Sequence, residues 1–287
     1  EGQEVQVGDG VELASGARVT LLAGGNFLYD VNGEFQELAE GETGIDAFVY
    51  TISDEHGATD EAEATVEIAG HNDAPVARDD AVRTHEDALH VGSVFADNGA
   101  GADWDWEGDA LSVVAVNGLA ANVDASIPLA GGGLLRVLPD GTLRFYAATG
   151  QFDHLSVGQT EQVSFDYTVA DIHGATDEGH VTITVEGRND KPRPAPDATS
   201  IHEDGVRSGN VMADNGAGVD YDVDQADTLS VRRVEGQAAN VGQSIDLAAG
   251  GRVRAGGRPG GGRRGTKLRM PENMYESLIY IYIYIYR

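Results

Sequence analysis

The 287-residue chain sets 48 Asp and Glu against 19 Lys and Arg, a net charge of −29, and contains no cysteine. That balance argues against nucleic acid and anionic membrane surfaces, where phosphates are met by Lys and Arg, and it favours solubility and cation binding. Without cysteine there is neither a disulfide nor a thiolate metal site, and no run of about 18 apolar residues is present to span a bilayer.

In chain order, the first recognisable element is "GEFQELAEG" at 33–41, where Phe35 and Leu38 are spaced for one face of a single helical turn. "NDAP" at 72–75 reads as a turn. "LSVVAV" at 111–116, "LLRVL" at 134–138 and "TLRFYA" at 142–147 are strand candidates. "GQFDHLSVG" at 150–158 repeats the helical-turn pattern with Phe152 and Leu155, which are expected to plug one end of a core. Val163, Phe165, Tyr167 and Val169 alternate with Ser164, Asp166 and Thr168, and Val181, Ile183 and Val185 alternate with Thr182, Thr184 and Glu186. This period of two, punctuated by Gly, Asn and Asp, predicts an all-β fold of antiparallel, Ig-like sandwiches with about seven strands per unit and no long helix.

Internal repetition sets the domain plan. "DEHGATDE" at 54–61 returns as "DIHGATDE" at 171–178, "HND" at 71–73 as "RND" at 188–190, and "HED" at 85–87 again at 202–204, always 117 residues on. "ADNGAGADWDWEGDALSV" at 96–113 returns at 213–231 with one inserted residue. The expected organisation is the later part of a first repeat at 1–72, a complete repeat at 73–189 and the early part of a third at 190–253. The chain is accordingly read as a fragment of something longer. From residue 254 the pattern gives way to a basic, Gly- and Arg-rich tail ending in "IYIYIYIYR". That tail is read as frameshifted or misassembled sequence, with a natural basic arm as the alternative, and its uncharged Ile-Tyr run as aggregation-prone.

The candidate chemistry lies in the acidic loop. Asp103, Asp105, Glu107 and Asp109 alternate with Trp104 and Trp106, and the third repeat answers with Asp220, Asp222, Asp224 and Asp227 around Tyr221 and Val223. Clustered carboxylates repel one another unless a cation joins them, and oxygen ligands in such numbers suit Ca²⁺. The opening D-x-D-x-E-G looks like an EF-hand loop, but its twelfth position is Val114 and no helices flank it. Solvated acidic turns are the alternative reading.

"HNDAPVARDDAVRTHEDALHV", "DWDWEGDALSVVAVNG", "LPDGTLRFY" and "FDYTVADIHGATDEGHVTITVEGRND" together resemble the VCBS-type, cadherin-like tandem repeats of large bacterial surface proteins and adhesins. The resemblance covers residues 1 to about 253. It implies tandem Ig-like sandwiches, an extracellular or cell-surface location, neighbouring repeats as partners with host or biofilm ligands beyond them, and Ca²⁺ as the cofactor near the domain junctions. Carried over by residue, Asn72, Asp73, Glu86 and Asp87 are expected at the first junction, and Asn189, Asp190, Glu203 and Asp204 at the second. Asp54 and Asp171, ahead of the "HGATDE" turns, are weaker candidates, and "NDKP" at 189–192 departs from the linker pattern by its lysine.

Catalytic signatures are missing: there is no G-x-S-x-G, H-E-x-x-H or G-x-x-x-x-G-K-[ST]. The recurring His56 and His173, and His85 and His202, read as turn residues. The sequence therefore points to a non-enzymatic, calcium-rigidified structural or adhesive segment. A carbohydrate- or protein-binding module using its aromatics and a spacer within a secreted enzyme are the alternatives.

Overall fold

The computed structural model describes residues 8–247 and 252–254, so the tail from residue 255, with its expected frameshift and aggregation-prone run, lies outside the described residues. Fifteen strands and three short 3₁₀ turns make up the described secondary structure. The described residues divide into two compact units, one drawn from residues 8–84, 88–147 and 162–184, the other from residues 85–87, 148–161, 185–247 and 252–254.

In the first unit, β1 (Gly10–Glu12), β2 (Arg18–Leu21) and β3 (Phe27–Asp30) form an antiparallel meander. β4 (Thr43–Ser53) and β5 (Thr59–Ala69) form a separate eleven-residue hairpin in register from Thr43↔Ala69 to Ser53↔Thr59. The middle repeat then contributes β6 (Asp80–His85), β7 (Leu89–Ser93), β8 (Ser112–Val116), β9 (Ile127–Pro128), β10 (Leu134–Val137), β11 (Thr142–Tyr146), β12 (Thr160–Ala170) and β13 (Thr176–Glu186). These build two antiparallel four-stranded sheets, ordered β7-β11-β10-β9 and β6-β13-β12-β8.

Burial follows the predicted alternation. Val163, Phe165, Tyr167 and Val169 of β12 and Val181, Ile183 and Val185 of β13 are at most 3% exposed, while Ser164 and Asp166 face solvent. Leu135, Leu143 and Phe145 supply the other sheet's share of the core, and each such side chain contributes about 1.5–3 kcal/mol on leaving water. Tyr167 is buried to its hydroxyl, which donates to Asp103 Oδ2 at 2.8 Å and lies near the Arg78 and Val94 carbonyls. A Cβ at Gly179 would fall 2.4 Å from the Tyr167 ring, so only glycine leaves that ring its place.

The second unit holds the 150–158 turn and the third repeat. Leu155 N–H donates to Phe152 O at 2.9 Å, closing the single turn that the spacing predicts, with both side chains buried. Gly187 passes beneath this turn, where a Cβ would lie 2.2 Å from the Leu155 carbonyl oxygen. β14 (Ser244–Asp246) pairs with β15 (Arg252–Arg254), Ile245 opposite Val253.

Candidate metal centre

Two acidic sets form, one within each unit. In the first, Asp105 folds the "DWDWEGD" loop back on itself: its Oδ1 accepts the N–H groups of Glu107 and Asp109 at 3.1 and 3.2 Å. Gly108 closes the turn at φ +77°, a conformation glycine adopts without steric cost. The linker is tied to this loop by a two-way backbone bridge between Val76 and Trp104, at 2.8 and 3.2 Å. Asp73 N–H donates to Glu107 Oε1 at 2.8 Å. Asn72 Nδ2 donates to Asp171 Oδ2 at 2.8 Å, and Asp171 Oδ1 gathers the N–H groups of His173, Gly174 and Ala175.

These bonds use one carboxylate oxygen each of Asp105 and Glu107, the amide nitrogen of Asn72 and the backbone N–H of Asp109. Asn72 Oδ1, Asp105 Oδ2, Glu107 Oε2 and Asp109 Oδ2 are all buried and accept no hydrogen bond. His173 Nε2 stands 3.5 Å from Asp109 Oδ2 and is the nearest positive group when protonated. Burial and the adjacent Asp105 push the Glu107 carboxyl above its ordinary range, although the Asp73 N–H pulls the other way. At Asp171 burial is outweighed by Asn72 and the three turn N–H groups, which hold the carboxylate below its ordinary range. Buried oxygens without donors are costly, and a hard divalent cation is the partner that this all-oxygen set suits. Among the described residues, no three His, Asp or Glu side chains form a group that could hold a metal ion; the oxygens gathered here include that of the Asn72 amide.

The second set repeats the first 117 residues later. Asp190 N–H donates to Asp224 Oδ2 at 2.9 Å, Asp222 Oδ1 accepts Asp224 N–H at 3.2 Å, and Arg193 bridges Tyr221 as Val76 bridges Trp104. Asn189 Nδ2 donates to the Asp190 carbonyl. Glu86 joins them: it is 2% exposed, its Oε1 accepts Arg188 N–H, and its Oε2 is buried without a hydrogen bond. Burial first, then the charges of Asp153, Asp87, Asp224 and Asp222, raise the Asp190 carboxyl.

Of the residues expected at the first junction, Asn72 and Asp73 stand with Asp171 and Glu107 in the first set, while Glu86 and Asp87 stand with Asp190 and Asp224 in the second. Glu203 and Asp204 are exposed. Asp103 Oδ1 takes Arg78 N–H and its Oδ2 the Tyr167 hydroxyl, and Asp220 likewise takes Ala195 N–H at 2.8 Å. Asp227 follows Asp224 in the turn, its N–H on the Asp224 carbonyl at 3.0 Å. Asp171 is central where Asp54, its counterpart, only caps its own exposed turn. Asp153 escaped the sequence reading because the first repeat has Gln36 in its place. Trp106 is 46% exposed and packs edge-on against Trp104, with ring centroids 4.4 Å apart.

Residues 72–187 match the family model described as bacterial cadherin-like domain, and residues 2–67 match that of the bacterial Ig domain. The middle repeat is thus similar to bacterial cadherin-like domains. Solved structures similar to the chain include the human desmocollin-1 ectodomain, at 14% identity and TM-score 0.29 over 51% of this chain and 25% of that one. The protocadherin gammaB4 extracellular domain aligns at 14% identity and TM-score 0.35 over 87% and 40%, and mouse protocadherin-24 EC1-3 at 12% and 0.28 over 64% and 55%. The chain thus spans between a quarter and about half the length of these structures. No curated protein matches the chain. The middle repeat carries one acidic set where that match begins, at Asn72, and the other where it ends, at Gly187 to Asp190.

Proposed function

We propose that the two acidic sets bind Ca²⁺ and stiffen the joints between successive β-modules, making the chain a non-catalytic, calcium-rigidified structural or adhesive segment of an exported bacterial surface protein. The observation that supports this most is the group of four buried oxygens, on Asn72, Asp105, Glu107 and Asp109, that accept no hydrogen bond. Those four would hold the ion of the first set; Glu86, Asp190, Asp222 and Asp224, with Asp153 beside them, would hold that of the second. Bound calcium would neutralise the crowded carboxylates. The backbone N–H groups of Asp73 and Asp190 would orient Glu107 and Asp224, the Asp190 carboxylate remaining a ligand of the second ion.

Extracellular calcium modules work at a Kd of roughly 10⁻⁴–10⁻³ M. Equilibrium dialysis of the chain across that range, with thermal melts in calcium and in EGTA, tests the reading. Saturable uptake with a higher Tm in calcium supports it. No uptake at millimolar calcium overturns it.

A further inference from the structure

The pairing registers of the sheet β7-β11-β10-β9 set an apolar row on its outer face. Leu134 lies opposite Pro128 on one side and Tyr146 on the other, and Tyr146 lies opposite Leu89. Pro128, Leu134, Tyr146 and Leu89 thus form one row across all four strands. The next row sets Arg136, Arg144 and Val91 side by side. Between these positions Leu135, Leu143 and Phe145 point into the core. Leu134 is 39%, Leu89 49% and Val91 56% exposed; Pro128 is exposed and Tyr146 half-buried. Both rows belong to the middle repeat, whose residues are all described.

In the other repeats charged pairs stand in this row. The hairpin β2–β3 has the same span as β10–β11, and it sets Arg18 opposite Asp30 where the middle repeat has Leu134 and Tyr146. Thr20 and Leu28 stand there in place of Arg136 and Arg144. In β14–β15, Asp246 and Arg252 take the places of Pro128 and Leu134, and Arg252 Nε donates to Asp246 Oδ1 at 2.6 Å. Strand pairing therefore proceeds with ion pairs at these positions, and packing does not require the apolar row.

Charge and size narrow what the face can hold. Arginines directly opposite one another repel, and each has an acid beside it. Asp124 Oδ1 accepts from Arg136 Nε at 2.8 Å. Thr142 chiefly, and Arg144 more weakly, hold the Asp140 carboxyl below its ordinary range. The face is thus close to neutral on a chain of net charge −29, which repels polyanions. The row is three strand spacings wide, about 14 Å, and the two rows lie about 7 Å apart. Such an area falls well short of the roughly 800 Å² per partner that a stable protein interface buries. A narrow, uncharged, hydroxyl-rich chain fits it.

We propose that this face binds a neutral polysaccharide laid across the strands. The apolar face of a sugar ring packs on Leu134 and the Tyr146 ring, and the guanidinium groups of Arg136 and Arg144, rich in N–H donors, bond to its hydroxyls. None of these residues belongs to either acidic set, so binding here does not depend on calcium.

Affinity electrophoresis of the full chain through gels containing dextran, galactomannan, xylan or mannan, with polygalacturonate as the anionic counterpart, tests this. Retardation by at least one neutral polymer is expected, in calcium and in EGTA alike. Pro128→Asp with Leu134→Arg installs the pair that the third repeat carries as Asp246 and Arg252. Leu134→Arg with Tyr146→Asp installs the pair that the first repeat carries as Arg18 and Asp30. Each double variant should lose the retardation while the near-UV circular dichroism of Trp104 and Trp106, both in the middle repeat, stays unchanged. Trp106→Ala, on the acidic loop, should be retarded like the wild type. Three outcomes overturn the proposal: no retardation by any neutral polymer, retardation by polygalacturonate alone, and retardation that survives both double variants. Loss of retardation in Trp106→Ala also overturns it, since that places the ligand on the acidic loop.

Discussion

The backbone N–H of Asp73 reaches 34 residues along the chain to Glu107 Oε1 at 2.8 Å, and 117 residues later Asp190 makes the same bond to Asp224. One carboxylate oxygen therefore positions the linker, while Glu107 Oε2 stays buried without a hydrogen bond.

Glu107→Gln keeps an oxygen for the Asp73 N–H and removes a charge from the first set only. Calcium affinity of that set should fall about tenfold or more, because affinity follows ligand charge count, while the second set is unaltered. Isothermal titration should then resolve one weakened class of site beside one unchanged; equal weakening of both would contradict the assignment.

Asp80, 4% exposed, faces Asn98, and burial together with Asp103, Asp79 and Asp97 pushes its carboxyl up to about 6. An acid whose folded pKa is raised binds its proton more readily in the folded state, so folding gains stability as pH falls from about 6 toward the unfolded value near 4. Ionised Asp80 is therefore a liability at pH 7. Asp80→Asn should raise stability at pH 7 by about 1–2 kcal/mol and by little at pH 4. Urea titrations of both proteins at the two pH values check the sign.

Tyr167→Phe deletes the hydroxyl that donates to Asp103 Oδ2 and leaves a buried carboxylate oxygen without that donor. The middle repeat should lose about 1–3 kcal/mol, read from the same urea titration. Calcium affinity should hold, since both Asp103 oxygens are turned to Arg78 and Tyr167.

The strands of the middle repeat were legible because period-two alternation is set by the pleat itself. Val163 to Val169 and Val181 to Val185 lie buried as their spacing requires. The acidic loop was legible because its acids recur. The partition of the acidic residues between the two sets was not. Glu86 is 13 residues from Asp73 in sequence, and only the intervening strand reveals that it stands with Asp190. Asp103 looked equivalent to Asp105 because alternation cannot tell a carboxylate braced by Tyr167 from one with an oxygen to spare. Asp153 gave no repeat signal at all, since Gln36 replaces it.

The bond from Asp73 to Glu107 has a mechanical corollary. A pull on the chain at residue 73 is delivered to the Glu107 side chain, whose other oxygen lies among the acids of the loop. Load along the polypeptide and the geometry of that acidic group are thus coupled through the Glu107 carboxylate, beside the Val76–Trp104 bridge and the Asn72–Asp171 bond, and the same carboxylate link recurs at Asp224.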